Sequence, residues 1–180
     1  ADMLHKARPG LHVVIPTVEQ VADTVALAVR SWPMPTHIIH GPAGRADAFA
    51  AADAALAASG TVSLELALRG VPSVVAYRTN PLTAALVRRM LTISHVALPN
   101  ILAGEEVMAE FIQEKCQAGP IADALARLLD NPALRAEQQN KFAHISELLG
   151  RDGPPPSVRA ADAVLRLVEA QEKGPAQCGP

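Results

Sequence analysis

Short apolar runs alternate with stretches of helical character along the first half of the chain. The runs, which predict buried strands, are residues 11–15, 36–40, 53–58 and 73–77. Helices are predicted at residues 18–29, 45–52, 61–69 and 81–91. Strands that alternate with helices in this way predict an α/β fold, in which a Rossmann-like parallel sheet is flanked by helices.

Beyond residue 100 the apolar positions follow helical spacing alone. One helix is predicted before Asn131, a second after Pro132, and a last one after the three prolines at 154–156. The C-terminal third is therefore expected to be helical. We divide the chain into an α/β domain at residues 1–150, a C-terminal helix at 151–173 and a disordered tail at 174–180.

The composition suffices for one folded domain and argues against several classes of protein. The chain has 180 residues, of which 49% are hydrophobic. Sixteen basic and eighteen acidic residues give a net charge of −2, and 3% of residues are aromatic, so a nucleic-acid partner is not expected. The sequence shows neither a secretory signal nor an apolar run of about eighteen residues, which favours a cytoplasmic protein.

The residue pattern does not favour metal, disulfide or dinucleotide chemistry. The six histidines show no ligand spacing with cysteines or carboxylates, and Cys116 and Cys178 lie far apart. The sequence contains no dinucleotide-binding fingerprint, no Walker sequence and no nucleophile elbow. Dinucleotide-dependent oxidoreductases and hydrolases are therefore disfavoured.

The segment at residues 58–65 joins a predicted strand to a predicted helix through a glycine-bearing turn. Gly60 lets the backbone approach a ligand closely, and the N–H groups at the helix start attract an anion. The hydroxyls of Ser59 and Thr61 are placed to face phosphates, while Glu65, one turn further on, is placed to accept hydrogen bonds from a ribose. Small residues also occur at such positions simply to make the turn, and local chemistry alone favours that interpretation.

Two further polar segments lie between the sheet region and the helical third. Asn100 lies in an apolar stretch, between Pro99 and the flexible Gly104, where it either bonds a ligand or forms an Asx-type turn. Gln113 and Glu114 offer an amide and a carboxylate side by side near a helix start. The alternative for that pair is solvated surface.

Several sequence blocks, taken together, resemble the lipid-A-disaccharide synthases. The order and spacing of the blocks match that family, and the resemblance is strong over residues 41–129. It implies a two-domain GT-B glycosyltransferase of lipid A biosynthesis in Gram-negative bacteria. The blocks are residues 58–65, 72–78, 81–83, 98–104 and 111–114.

The family reaction implies which substrates the protein uses. The enzyme moves a 2,3-diacylglucosamine unit from UDP onto 2,3-diacylglucosamine 1-phosphate (lipid X), which gives the β-1,6-linked disaccharide 1-phosphate and UDP. The chain resembles the C-terminal, UDP-sugar-binding half of such an enzyme, truncated at its N-terminus. No metal or other cofactor is expected, because backbone N–H groups and hydroxyls would hold the donor phosphates.

The resemblance also assigns roles to residues of the glycine turn. Ser59, Gly60 and Thr61 would face the UDP phosphates, and Glu65 looks like the ribose-binding acid of related nucleotide-sugar transferases.

The other matching blocks complete the implied donor site. Asn100, Gln113 and Glu114 would hold the donor, and Tyr77 and Arg78 would face the same cleft from the end of a strand. From the chemistry of the guanidinium group, we infer that Arg78 would offset the charge that grows on the departing UDP. No base that could activate the acceptor is assigned to this chain.

Two departures from the family pattern bear on activity. Glu105 and Glu106 stand where many members of the family carry a basic residue, which makes the local charge less favourable to phosphate. The Gly-Ser-Arg block of the family and the acceptor domain are absent from the sequence. We therefore expect weakened UDP binding, and no transfer by the isolated chain.

Other functions and partners stay open from the sequence. The alternatives are another UDP-sugar GT-B enzyme, such as an N-acetylglucosaminyl transferase or an epimerase, and a non-catalytic nucleotide-binding module. A homodimer and the missing N-terminal domain are candidate partners. Arg88 and Arg89, beside apolar residues of the helix predicted at 81–91, suggest peripheral contact with the inner face of the inner membrane. A core helix with a solvated edge is the alternative there.

Overall fold

The computed structural model describes residues 1–58, 60–80 and 95–172, and it divides the chain into two units. The first unit is Ala1–Ser146 and the second is Glu147–Pro180. The boundary at residue 146 lies close to the predicted one at 150, while the predicted tail at 174–180 lies outside the described residues. Within the described ranges, no helix is both long and apolar enough to cross a membrane.

Helices and short parallel strands alternate through the first unit. The helices are α1 (Asp2–Ala7), α2 (Glu19–Val29), α3 (Gly41–Ala51), α4 (Thr61–Leu68), α5 (Leu98–Ala103), α6 (Ala118–Asp130), α7 (Pro132–Leu148) and, in the second unit, α8 (Pro156–Glu172). The strands are β1 (Val13–Thr17), β2 (Thr36–His40), β3 (Ala55–Ala57), β4 (Ser73–Tyr77) and β5 (Glu110–Ile112), the last followed by the 3₁₀ turn Gln113–Lys115.

All strand pairs in the described residues are parallel, which confirms the α/β class. Strand β1 pairs with β2, from Val13 opposite Thr36 onwards. Strand β4 lies between β3 and β5 in a second sheet. The predicted parallel strands form two sheets in the described residues, with β1 and β3 each at the edge of a separate sheet.

The predicted strands at 36–40 and 73–77 agree with β2 and β4 residue for residue. Strand β1 runs through Pro16, where the sequence analysis ended it. The Val13 N–H donates to the Pro35 carbonyl oxygen (2.9 Å), so alternate residues of β1 point their N–H groups toward β2. By that alternation the nitrogen of Pro16 faces away from β2, and its missing N–H costs no bond of this ladder.

Helix α1 was not predicted, because residues 1–10 interrupt their apolar positions with Asp2, His5, Lys6 and Arg8 and show no helical spacing. Leu4 is the buried residue of this helix. It packs in one apolar cluster with Val74 of β4 and with Leu125 and Leu128 of α6. A single apolar side chain thus holds α1 to the core, and one residue has no periodicity that a sequence pattern could detect.

Gln138 of α7 ties this helix to the second sheet. The Ser73 N–H donates to Oε1 of Gln138 (2.7 Å), and Nε2 of Gln138 donates to the carbonyl oxygens of Ser73 (3.0 Å) and Val107 (2.8 Å). Both Ser73 and Gln138 are buried. The Gln138 amide therefore makes the hydrogen bonds to the Ser73 backbone that a neighbouring strand would otherwise make.

We expect Gln138→Ala to lower the free energy of unfolding by at least about 2 kcal/mol, because it leaves buried backbone groups unpaired. Urea denaturation of the purified chain measures this effect. Gln139→Ala is the matched control, since Nε2 of the exposed Gln139 donates to the Gly70 carbonyl oxygen (2.9 Å) on the surface. Equal losses in the two variants would contradict the role given to Gln138.

Candidate functional site

The turn between β3 and α4 is built around Gly60. Its backbone angles, φ 124° and ψ −157°, belong to a region that only glycine adopts readily. The Gly60 carbonyl oxygen accepts hydrogen bonds from Oγ of Ser63 (2.7 Å) and from the Ser63 N–H (3.2 Å). Thr61 lies exposed in the first helical turn, and Ser59 lies outside the described residues. The hydrogen bonds from Ser63 therefore hold the turn in place, while Thr61 faces solvent.

Glu65 lies one turn beyond Thr61 on α4 and is paired with a residue that the sequence analysis missed. Nη2 of Arg45, on α3, lies 3.5 Å from Oε2 of Glu65, and both side chains are partly exposed. An exposed pair of this kind contributes little to stability, but it brings a guanidinium group beside the glycine turn. No local pattern could indicate this contact, because it depends on how α3 and α4 pack.

The parallel register brings three chain segments to one edge of the second sheet. Ala57 at the end of β3 pairs with Val75, and Tyr77 at the end of β4 pairs with Ile112 at the end of β5. Because the strands are parallel, their carboxyl ends meet at the same edge. The Gly60 turn, the exposed pair Tyr77 and Arg78, and Gln113 with Glu114 therefore follow neighbouring strand ends.

Gln113 adopts a left-handed backbone conformation with φ 53°. That conformation costs a residue other than glycine about 1–2 kcal/mol. When its amide nitrogen faces the Thr79 carbonyl oxygen and its amide oxygen faces the Thr79 N–H, both contacts measure 3.2 Å. Gln113 thereby ties the segment after β4 to the end of β5, next to Arg78.

Glu114 lies exposed in the 3₁₀ turn that follows β5. Its carbonyl oxygen accepts a hydrogen bond from Nε2 of Gln117 (2.9 Å). Of the acidic pair noted as a departure from the family pattern, Glu105 forms a salt bridge with Lys141 (3.2 Å). Lys141 therefore reduces the excess negative charge at this position.

Asn100 lies inside α5, beside the amino end of β5, and is fully buried. Its Nδ2 donates to the Met108 carbonyl oxygen and to Oε1 of Glu110, and its Oδ1 accepts from the N–H groups of Val107 and Met108, all at 2.8 Å. The Asx-turn interpretation is therefore wrong. These four bonds use the full capacity of the amide, so the geometry favours a structural role; direct contact with the donor stays a prediction.

Glu110 connects Asn100 to the segment before α5. Its carboxylate accepts hydrogen bonds from the N–H groups of Val96 (3.0 and 3.1 Å) and Ala97 (2.8 Å). The carboxylate thus satisfies backbone donors at the start of α5. No sequence pattern indicates Glu110, because β5 is three residues long, too short for its alternation to stand out.

We expect Asn100→Ala to lower the free energy of unfolding by at least about 2 kcal/mol, since it leaves two buried N–H groups and a carboxylate short of partners. Thermal denaturation of this variant, beside Ile101→Ala on the exposed side of α5, measures the effect. A stable Asn100→Ala variant that binds UDP less tightly would instead indicate direct contact with the donor.

Comparisons with known proteins agree on one family. A family model described as lipid-A-disaccharide synthetase matches residues 1–154. Relatives named lipid-A-disaccharide synthase include that of Rhodospirillum centenum, which is 47% identical over 167 residues, covering 93% of this chain and 42% of the relative. The relative from Paramagnetospirillum magneticum is 46% identical, covering 92% of the chain and 43% of the relative. The relative from Gluconobacter oxydans is 38% identical, covering 93% and 40%. The chain thus spans about two fifths of the curated relatives that it matches.

Proposed function

Because the chain belongs to the lipid-A-disaccharide synthetase family, we propose that it forms the UDP-sugar-binding half of a GT-B glycosyltransferase. The whole enzyme transfers 2,3-diacylglucosamine from UDP to lipid X and yields the β-1,6-linked disaccharide 1-phosphate and UDP. The observation that carries the proposal is the meeting of the Gly60 turn, Arg78 and Gln113 at the carboxyl edge of neighbouring parallel strands. Nucleotides bind at this edge in open α/β sheets.

The glycine turn supplies the phosphate contacts in this proposal. The Ser63 N–H of helix α4 donates to the Gly60 carbonyl oxygen, while the N–H groups of Thr61 and Val62 before it have no acceptor within the helix. These groups and the Thr61 hydroxyl donate to the diphosphate, which the positive end of the helix dipole also attracts. An added Cβ at Gly60 would meet no atom within 4 Å. Glycine is therefore needed here for its backbone conformation, and the space beside it can hold the ligand.

Glu65 and Arg78 bind different parts of the donor, the ribose and the β-phosphate. The Glu65 carboxylate accepts hydrogen bonds from the ribose hydroxyls, with Arg45 holding it in place at 3.5 Å. The exposed Arg78 guanidinium donates to the β-phosphate oxygens, where negative charge grows as UDP leaves. A planar guanidinium suits phosphate because two of its N–H groups can donate in parallel.

The transfer itself is one displacement at the anomeric carbon. The 6-hydroxyl oxygen of lipid X forms the new bond, the bond from that carbon to the β-phosphate oxygen breaks, and a base takes the hydroxyl proton. UDP departs from the opposite face, so the configuration inverts. The match covers about two fifths of the relatives. The base and the acceptor site belong to the remaining part of the enzyme.

Acylated substrates give reason for contact with a membrane surface. We propose peripheral association with the inner face of the inner membrane, while the basic pair Arg88 and Arg89 expected to make it lies outside the described residues. We also propose a homodimer. Its only support is that large hydrophobic side chains are exposed on the chain.

We expect UDP to bind the purified chain saturably and Glu65→Ala to weaken that binding about tenfold, the equivalent of one hydrogen bond to a charged group. Isothermal titration calorimetry measures both affinities. Leu68→Ala, at an exposed position of the same helix, is the control. Titration with UMP and with inorganic phosphate separates the contributions of the ribose and the diphosphate. Equal affinity of the Glu65→Ala and Leu68→Ala variants for UDP would contradict the role of Glu65.

We expect no disaccharide from the chain alone, and disaccharide from its mixture with the complementary part of the Rhodospirillum centenum enzyme. In that mixture Arg78→Ala should lower the rate by about 10²–10³-fold, as the loss of one charge-stabilising donor does, and Arg78→Lys by less. Product formation from radiolabelled lipid X is the measurement. Disaccharide synthesis by the unmixed chain would show that this half contains the complete active site.

A further inference from the structure

Two histidine rings meet across the neighbouring strands β1 and β2. His12 directly precedes β1, and His37 is the second residue of β2. Val14 lies opposite His37 in the ladder, and residues two apart on a strand share a face, so His12 and His37 are diagonal neighbours on one face of this sheet. Nδ1 of His12 lies 3.3 Å from Nε2 of His37. The pair therefore links the amino ends of the two strands through side chains.

The two imidazole rings lie end to end in one plane. Their planes differ by 4°, and their centres are 5.6 Å apart. This is the greatest separation of the centres that the 3.3 Å contact permits, so the two nitrogens point directly at each other. A hydrogen bond is strongest when the donor, its hydrogen and the acceptor lie close to one line. The rings thus have the geometry of an N–H···N hydrogen bond.

A proton fits between these nitrogens better than a metal ion does. A zinc ion lies about 2.0–2.1 Å from each imidazole nitrogen that binds it, so an ion on the line between the rings needs the nitrogens to be about 4 Å apart. The observed 3.3 Å is too short for that arrangement. Among the described residues, no group of three or more histidine, cysteine or acidic side chains could hold a metal ion. We therefore treat the pair as two rings that share one proton.

The number of protons on the pair decides whether the hydrogen bond exists. Two neutral rings carry two protons, one between the rings and the other on a nitrogen that faces away. A third proton binds the outer nitrogen of the donor ring, and the bond becomes charge-assisted. A fourth must occupy the acceptor nitrogen, so that two N–H groups and two positive charges face each other. Because histidines gain protons between about pH 8 and pH 5, acidification breaks the bond.

The charged groups near this end of the sheet come from the ends of three helices. Helices α1 and α2 lead into β1 and β2, and α3 packs on both strands. The titratable groups at the amino end are His5, Lys6, Arg8, Arg30 and Asp53, while Glu19, Asp23, Arg45, Asp47 and His40 lie toward the carboxyl end. Lys6 and Arg8 each already have an acidic partner. Within the described part of the chain, neither His12 nor His37 forms a salt bridge, so no carboxylate in contact with the rings offsets their second charge.

We propose that His12 and His37 form a pH-dependent clasp between β1 and β2. The clasp holds the amino ends of the strands together while one of the two facing nitrogens is unprotonated, and it releases them when both are protonated. The ladder next to the clasp begins with the Val13 N–H, which donates to the Pro35 carbonyl oxygen (2.9 Å). The proposal rests on contacts within this chain and does not depend on UDP binding.

Long-range proton–nitrogen correlation NMR of the histidine rings tests the shared proton in the intact chain at about pH 8. If Nδ1 of His12 donates, both rings carry their proton on Nδ1; if Nε2 of His37 donates, both carry it on Nε2. The same tautomer is therefore expected in the two rings. Different tautomers would place either two protons or none between the rings and would overturn the proposal.

Hydrogen exchange of the Val13 amide tests the release. Its protection factor, which corrects for the intrinsic effect of pH on exchange, should fall about fivefold between pH 8 and pH 5, as the loss of one hydrogen bond of typical strength predicts. The Ala55 amide, which donates to the Pro72 carbonyl oxygen in the other sheet (2.8 Å), should keep its protection. An unchanged Val13 protection factor, or an equal fall at Ala55 that indicates general unfolding, would contradict the clasp.

Variants at His37 provide matched controls for the same measurement. His37→Gln keeps a side chain that can donate or accept a hydrogen bond but gains no proton, so Val13 should stay protected at both pH values. His37→Phe keeps a ring without nitrogen, so protection should be low at both. His40→Phe, at the exposed far end of β2, should behave like the unaltered chain. A fall on acidification that persists in folded His37→Gln would assign the effect to another group and overturn the proposal.

Discussion

The parallel ladder on either side of β4 is the constraint on which the rest of the structure depends. Val74 and Val75 are almost completely buried, and the strand has a partner along each edge. This register places the ends of β3, β4 and β5 side by side, so that residues far apart in sequence reach one site. Gln138, on helix α7, extends the hydrogen bonding of β4 by pairing with the N–H and the carbonyl oxygen of Ser73.

Burial and hydrogen bonding separate the residues predicted to bind the donor into two groups. Gly60, Arg78 and Glu65 lie at least partly open to solvent and can reach a ligand. Asn100 is buried, and its amide forms hydrogen bonds with Met108, Val107 and Glu110. Asn100 thus fixes the backbone between α5 and β5, while Gly60, Arg78 and Glu65 are open to a ligand.

The sequence predicted those elements whose signal is local. Short apolar runs identified β2 and β4, and a glycine between a strand and a helix identified the turn at Gly60. Features that depend on tertiary packing escaped prediction. Arg45 reaches Glu65 only through the packing of α3 on α4, and the division of the described strands into two sheets depends on which strands pair in the folded chain.

The central claim is that a UDP-sugar binds where these strand ends meet. NMR spectra of the chain recorded during addition of UDP test it most directly, because each backbone amide reports its own surroundings. Saturable shift changes are expected at Gly60, Thr61, Arg78 and Gln113, with small changes in α6 and α7. Changes centred on other parts of a folded chain, or none at all, would contradict it.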